Sequence, residues 1–183
     1  MILPIYTYGQ PVLRKSCEDI DPQTYPELKT LIENMYETMK KSEGVGLAAP
    51  QIGKAIRLVV IGLDDLKESY PEYEGFLHAF INPHIIEYDE NEVSSMEEGC
   101  LSLPGIHEPV KRPTRIRVQW IDENLIQHDE WLEGFLARVM QHEVDHLEGK
   151  VFTDRIAPLR KQMVKNKINA IIKGKVNCNY RIK

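Results

Sequence analysis

Cysteine is scarce in this chain, with Cys17, Cys100 and Cys178 the only three among 183 residues. So odd and sparse a set excludes a disulfide framework and reads as reduced intracellular thiols. Long hydrophobic runs are missing too, so no segment is expected to span a bilayer. The first residues, MILPIYTYGQP, hold no basic stretch and no sustained apolar core and carry an early proline, which argues against a signal peptide. A cytoplasmic protein without a membrane partner is the expectation. Acidic residues stop at Asp154, whereas nine Lys and Arg follow it. With a net charge of -5, the body is more acidic than average, and the tail from about residue 156 to 183 is basic. That balance calls for no obligatory polyanion, and no DNA partner is expected. Internal repeats and low-complexity segments are absent.

What is present suits a single domain over residues 1–183, large enough to bury roughly two-thirds of the surface of its unfolded chain. In 26–41, PELKTLIENMYETMKK, Leu28, Leu31, Ile32, Met35, Tyr36 and Met39 recur at helical spacing. The glycine-rich stretch EGVGLAAPQIG reads as a close-packed loop, leading into a buried strand, IRLVVIGL. Residues 64–75 look like a surface excursion, and short strands are expected around 77–88, 101–103, 114–120 and 125–132. From Gly134 a helical period returns, with apolar and metal-type residues over most of the circumference and Arg138, Gln141, Asp145 and Glu148 as its one polar stripe. Gly149 ends that helix. Pro158 opens a last one to about Lys173, with Met163, Val164, Ile168, Ile171 and Ile172 as its apolar side. An α+β fold follows, its antiparallel strands wrapped around one central helix, with an N-terminal and a C-terminal helix.

The central helix carries QHEVDH at 141–146. Side chains four apart lie one above the other, so His142 and His146 can bind one metal ion at a Zn–N distance of about 2.0–2.1 Å. Glu143, about 100° round the helix, can reach a water on that metal without displacing it. Chance could place such a pattern on a solvated helix, but the flanks are apolar, and burying these groups without partners is costly. A catalytic site needs a third ligand, and no histidine follows His146, so it lies upstream. Of His78, His84, Cys100, His107, His128 and the carboxylates, Cys100 is favoured. It sits in EEGCLSLPG, where Gly99 lets backbones approach closely and Gly105 marks a turn.

Together, GVGLAAPQ at 44–51, EGCLS at 98–102 and QHEVDH at 141–146 resemble, in order and spacing, the three motifs of the bacterial peptide deformylases. The likeness extends from the first residues to about Phe152. It implies a metal-dependent hydrolase removing the formyl group from the N-terminal formylmethionine of new polypeptides. It further implies Cys100, His142 and His146 as metal ligands and Glu143 as general acid/base. The Gln51 side-chain N–H and the Leu101 backbone N–H would hold the developing oxyanion. Val45 and Gly46, with the segment at Gly105, would pair with an extended substrate, and Val45, Leu101, Val139 and His142 would enclose its methionine. The resemblance implies Fe(II) in the cell, while Zn(II), Ni(II) or Co(II) suit the same donors. It also suggests that the basic C-terminal helix docks on the ribosome, against the plainer expectation of a solvated helix packed on its own body. A zinc endopeptidase and a closed structural metal site are the competing readings. The upstream Cys100 argues against the first, and the second requires a fourth protein ligand. Cys178 reads as an exposed thiol.

Overall fold

A computed structural model describes residues 1–183. Its three α-helices are α1, Leu28–Lys41, α2, Gly134–Leu147, and α3, Pro158–Ile172. Seven strands run β1, Gly46–Ala48, β2, Leu58–Gly62, β3, Leu77–Tyr88, β4, Val93–Gly99, β5, His107–Pro113, β6, Arg115–Ile121, and β7, Gln127–Glu133. Five form an antiparallel sheet in the order β1-β2-β3-β6-β7, and β4 and β5 make a separate two-stranded ribbon. The expected α+β fold and both flanking helices are borne out. No helix is long and apolar enough to cross a membrane.

The period of two along β2 explains how the sheet holds two helices at once. Val59 and Ile61 join the apolar cluster that includes Ala137, Val139, Met140, Val144 and Leu147 of α2. Leu58 and Val60 turn to the other face, where Leu28, Leu31, Ile32, Met35 and Met39 of α1 cover them. A strand buried on both faces reads as a continuous apolar run, as LVVI does. A third cluster, around Leu103, Val110, Phe152, Val164 and Ile171, seats α3 beyond the ribbon.

Four sequence expectations need correction. Residues 46–48 form a strand rather than part of a loop, because pairing with Val59–Ile61 of β2 overrides weak local propensity. The expected strand at 101–103 is a turn, closed by the Leu103 N–H donating to the Cys100 carbonyl at 2.9 Å, between two strands the sequence concealed. Concealment has a cause: the inward positions of β5 are Glu108, Val110 and Arg112, so charge interrupts the alternation that marks a strand. The polar stripe of α2 faces inward: Arg138, Gln141 and Asp145 are buried, and only Glu148 reaches solvent. On α3 the seated stripe is Val164, Ile168 and Ile171, while Met163 and Ile172 are exposed.

Candidate metal centre

Cys100 stands where β4 ends and the chain turns, and His142 and His146 project from successive turns of α2. Ligand atoms of all three lie within 4.8 Å of one another. Cys100 Sγ is 3.3 Å from His146 Nε2, and the imidazole centroids are 5.2 Å apart. One thiolate and two imidazoles suit a single borderline-soft divalent ion, and a set of three leaves a tetrahedral position open. Burial holds His146 well below the usual imidazole range, in the neutral form a ligand needs. His142 Nδ1 lies 2.9 Å from Glu98 Oε1. A carboxylate can only accept, so Nδ1 carries a hydrogen; burial pulls this imidazole down, but Cys100 and Glu98 outweigh it and raise it well above its usual range, so a bound ion would displace the proton from Nε2.

Glu98 is itself the centre of a buried ion network. Arg112 donates to it through Nε at 2.7 Å and Nη2 at 2.9 Å, and Arg138 through Nη1 at 2.7 Å. The third arm of Arg112 reaches Asp145 at 2.9 Å, and Arg155 grips the same carboxylate with two bonds of 2.6 Å. Burial alone pushes the Glu98 carboxyl up, but Arg112 and His142 outweigh it and hold it well below the usual carboxylate range. The network therefore fixes the tautomer and the ring orientation of His142 from behind.

Glu143 is buried and offers a carboxylate oxygen, Oε2, that has no hydrogen-bond partner. Burial, partly offset by His142, pushes its carboxyl up to about 7. Gly46 packs directly against it, so that a Cβ at position 46 would meet the Glu143 carboxyl carbon at 2.8 Å. Only glycine lets β1 and this carboxylate approach so closely. Gln51, on a short 3-10 helix after β1, accepts from the Ala48 N–H through Oε1 at 2.9 Å. Its Nε2 is thereby aimed at Cys100 Sγ, 3.5 Å away, and Ser102 Oγ, 3.2 Å away.

A cavity of about 490 Å³ opens over these groups. Val45, Gly46, Gln51, Cys100, Leu101, Gly105, Val139, His142 and Glu143 line it, and His146 lies fully buried beneath it. Thus all ten residues expected from the sequence come together. The other upstream imidazoles go elsewhere: His84 pairs with Asp19, His128 with Asp122 and Glu130, and His78 lies edge-on to Phe76. His107 reaches only the rim, beside Gly99. Sequence reasoning gave no role to Glu98, Arg112, Ser102 or Tyr180. A carboxylate two residues before a metal-type cysteine was the one available signal, for Glu98. Cys178 is half-buried at the cavity mouth, its thiol donating to the Tyr180 carbonyl at 3.3 Å, and is not the exposed thiol expected.

The family model described as Polypeptide deformylase matches residues 2–162. The peptide deformylase of Flavobacterium psychrophilum is 45% identical over 190 residues, covering 100% of this chain and 97% of that protein. The one from Salinibacter ruber is 41% identical, covering 98% and 93% respectively. Among solved structures, the peptide deformylase from Thermus thermophilus superposes with a TM-score of 0.82 at 38% identity, over 95% of this chain and 99% of that one. Agreement along nearly the whole length, together with a Cys-His-His cluster on the floor of a peptide-sized cavity, leads to one conclusion: the chain belongs to the polypeptide deformylase family.

Proposed function

We infer that this chain removes the formyl group from N-formylmethionyl peptides at the start of new polypeptides, releasing formate and a free N-terminal methionine. The reading puts this reaction in the cytoplasm. The observation that carries it is the buried, unpartnered Glu143 carboxylate beside three convergent donors, Cys100, His142 and His146. An ion held by those donors supplies Lewis acidity, which brings the ionisation of water toward the neutral range and polarises a carbonyl oxygen. Around it the side chains move the proton and hold the charge. Glu143 accepts the proton of the attacking water and later delivers it to the leaving amine nitrogen. As charge grows on the formyl oxygen, Gln51 Nε2–H and the Leu101 backbone N–H donate to it, a well-placed donor being worth about 2.7–4 kcal/mol.

Substrate enters as an extended strand. β1 is the outermost strand of its sheet and pairs with β2 along one edge only. Gly62 N–H donates to the Val45 carbonyl, so the alternation of an antiparallel pair points the Gly46 backbone groups the other way, into the cavity. Val45, Leu101, Val139 and His142 then wall the methionine side chain, and Gly105 also lines the cavity. Iron(II) is the cellular ion in this reading, and Zn(II), Ni(II) and Co(II) suit the same thiolate and imidazoles. Metal analysis of protein purified without air identifies it.

The direct test is anaerobic incubation of the metal-loaded chain with formyl-Met-Ala-Ser. Stoichiometric formate, abolished by a strong chelator and restored by added ion, is expected. Cleavage of internal peptide bonds without formate would replace this reading with the endopeptidase one. Ribosome docking is a second part of the proposal, supported by α3, whose Lys161, Lys165 and Lys167 and apolar Leu159 and Met163 all face solvent. Lys165→Glu with Lys167→Glu is expected to weaken co-sedimentation with ribosomes at low salt several-fold. Equal pelleting of variant and wild type removes that part alone.

A further inference from the structure

Beyond α3 the chain returns to the body and runs along the mouth of the cavity, where Asn177, Cys178, Asn179 and Tyr180 form part of its wall. This strap is pinned to the N-terminal segment by backbone bonds. Ile5 N–H donates to the Arg181 carbonyl, Lys183 N–H to that of Ile5, both at 2.8 Å, and Thr7 N–H to that of Lys183 at 3.0 Å. The N-terminal segment in turn donates from Tyr6 to the Gln51 carbonyl and from Tyr8 to the Ser102 carbonyl, each at 2.8 Å. From the strap, the half-buried Tyr180 reaches inward, and its hydroxyl donates to the Leu101 carbonyl at 2.8 Å.

That carbonyl has a particular place in the site. Residues 100–103 form a turn closed by Leu103 N–H and the Cys100 carbonyl, and the peptide between Leu101 and Ser102 is its central unit. The central peptide is the one that flips when a turn passes between types I and II, since the two differ in ψ of the second residue and φ of the third. A flip here would turn over the Leu101 carbonyl and the Ser102 N–H and loosen the turn that also carries the Leu101 N–H and the Ser102 side chain. Ser102 Oγ is the acceptor that helps aim Gln51 Nε2. Leu101 has little slack on its other side, because a Cβ on Gly44 would come within 2.9 Å of its Cδ1.

We propose that Tyr180 is a positioning residue: its hydroxyl fixes the Leu101 carbonyl, so that the 100–103 turn keeps one conformation and holds in place both the Leu101 N–H and Ser102, on which the aim of Gln51 depends. The proposal rests on the deformylase reading for the meaning of those donors, but its structural half stands apart from it. Tyr180 is not one of the three metal-type donors, and its hydroxyl is taken up by the Leu101 carbonyl, so its effect falls on the transition state rather than on binding. A misplacement of about 1 Å in such a group can cost about a hundredfold in rate.

The test is Tyr180→Phe in the full-length, metal-loaded chain, a change that keeps the ring and removes only the hydroxyl. For formyl-Met-Ala-Ser, kcat is expected to fall about tenfold with KM within about twofold, since the lost interactions act mainly in the transition state. Metal content and thermal midpoint should match the wild type, and amide hydrogen exchange over residues 101–103 should quicken at least several-fold. An unchanged kcat with unchanged exchange overturns the proposal, as does a fall in kcat accompanied by equal loss of metal or by a lowered midpoint. Were the wild type itself to release no formate, the deformylase reading would fail, and the exchange rates would still decide whether Tyr180 holds the turn.

Discussion

Glu143→Gln is expected to lower kcat for formyl-Met-Ala-Ser by about 10³-fold, within the range for loss of a positioned acid–base group, while the protein keeps a full equivalent of metal. The carboxamide fills the same space under the same neighbours but can neither accept the proton of the attacking water nor return it to the amine. Metal retention follows because the three donors are Cys100, His142 and His146, and Glu143 is not among them. Stability should hold or increase. The wild-type carboxylate is buried with one oxygen unpartnered, an arrangement that costs folding free energy when charged, and a neutral amide removes most of that cost. Steady-state kinetics, metal analysis and a thermal melt check all three statements together. Turnover near the wild-type rate would show that the proton travels by another group.

Arg112→Met is expected to give the largest loss of stability, about 3–5 kcal/mol by chemical denaturation, because it strips a buried cation from two buried carboxylates. Arg112 is 3% exposed, and its partners Glu98 and Asp145 are 6% and 8% exposed in their side chains. Arg138 and Arg155 still contact the two acids after the change, but neither bridges them. In a chain of this length each kcal/mol moves the thermal midpoint by about 2–4 °C, so a drop near 10 °C is expected. Metal affinity should fall as well, since Glu98 without Arg112 no longer holds the His142 ring in one orientation, and losing such support typically costs about 10–100-fold. Arg117→Met is the internal control. Its ion pair with Asp129 crosses β6 and β7 in solvent, where screening leaves such a pair little effect on stability.

What the sequence made legible, and what it hid, divides along physical lines. HEVDH could be read because a helix brings residues four apart into register without help from the rest of the chain. β2 was readable because a strand covered on both faces is apolar throughout. β4 and β5 were not, because Glu98, Glu108 and Arg112 occupy inward positions where a hydrophobic residue is the usual occupant. The same difficulty let the Arg138, Gln141 and Asp145 face of α2 read only as a polar stripe: a charged residue that finds its partner 40 positions away looks, in one dimension, like any surface residue. Motif resemblance named the residues expected at the reaction centre, yet it gave no hint of Tyr180, whose contact with Leu101 spans 79 positions of chain.

The unpaired edge of β1 sets a deadline. It is three residues long, and only Gly46 of them lines the cavity, so it offers room for one bare, unfolded chain end and not for a finished sheet or helix. On the proposed reading of that edge, a client polypeptide is processed while its first residues are still loose, and once they are tucked into its own tertiary structure the opportunity has passed.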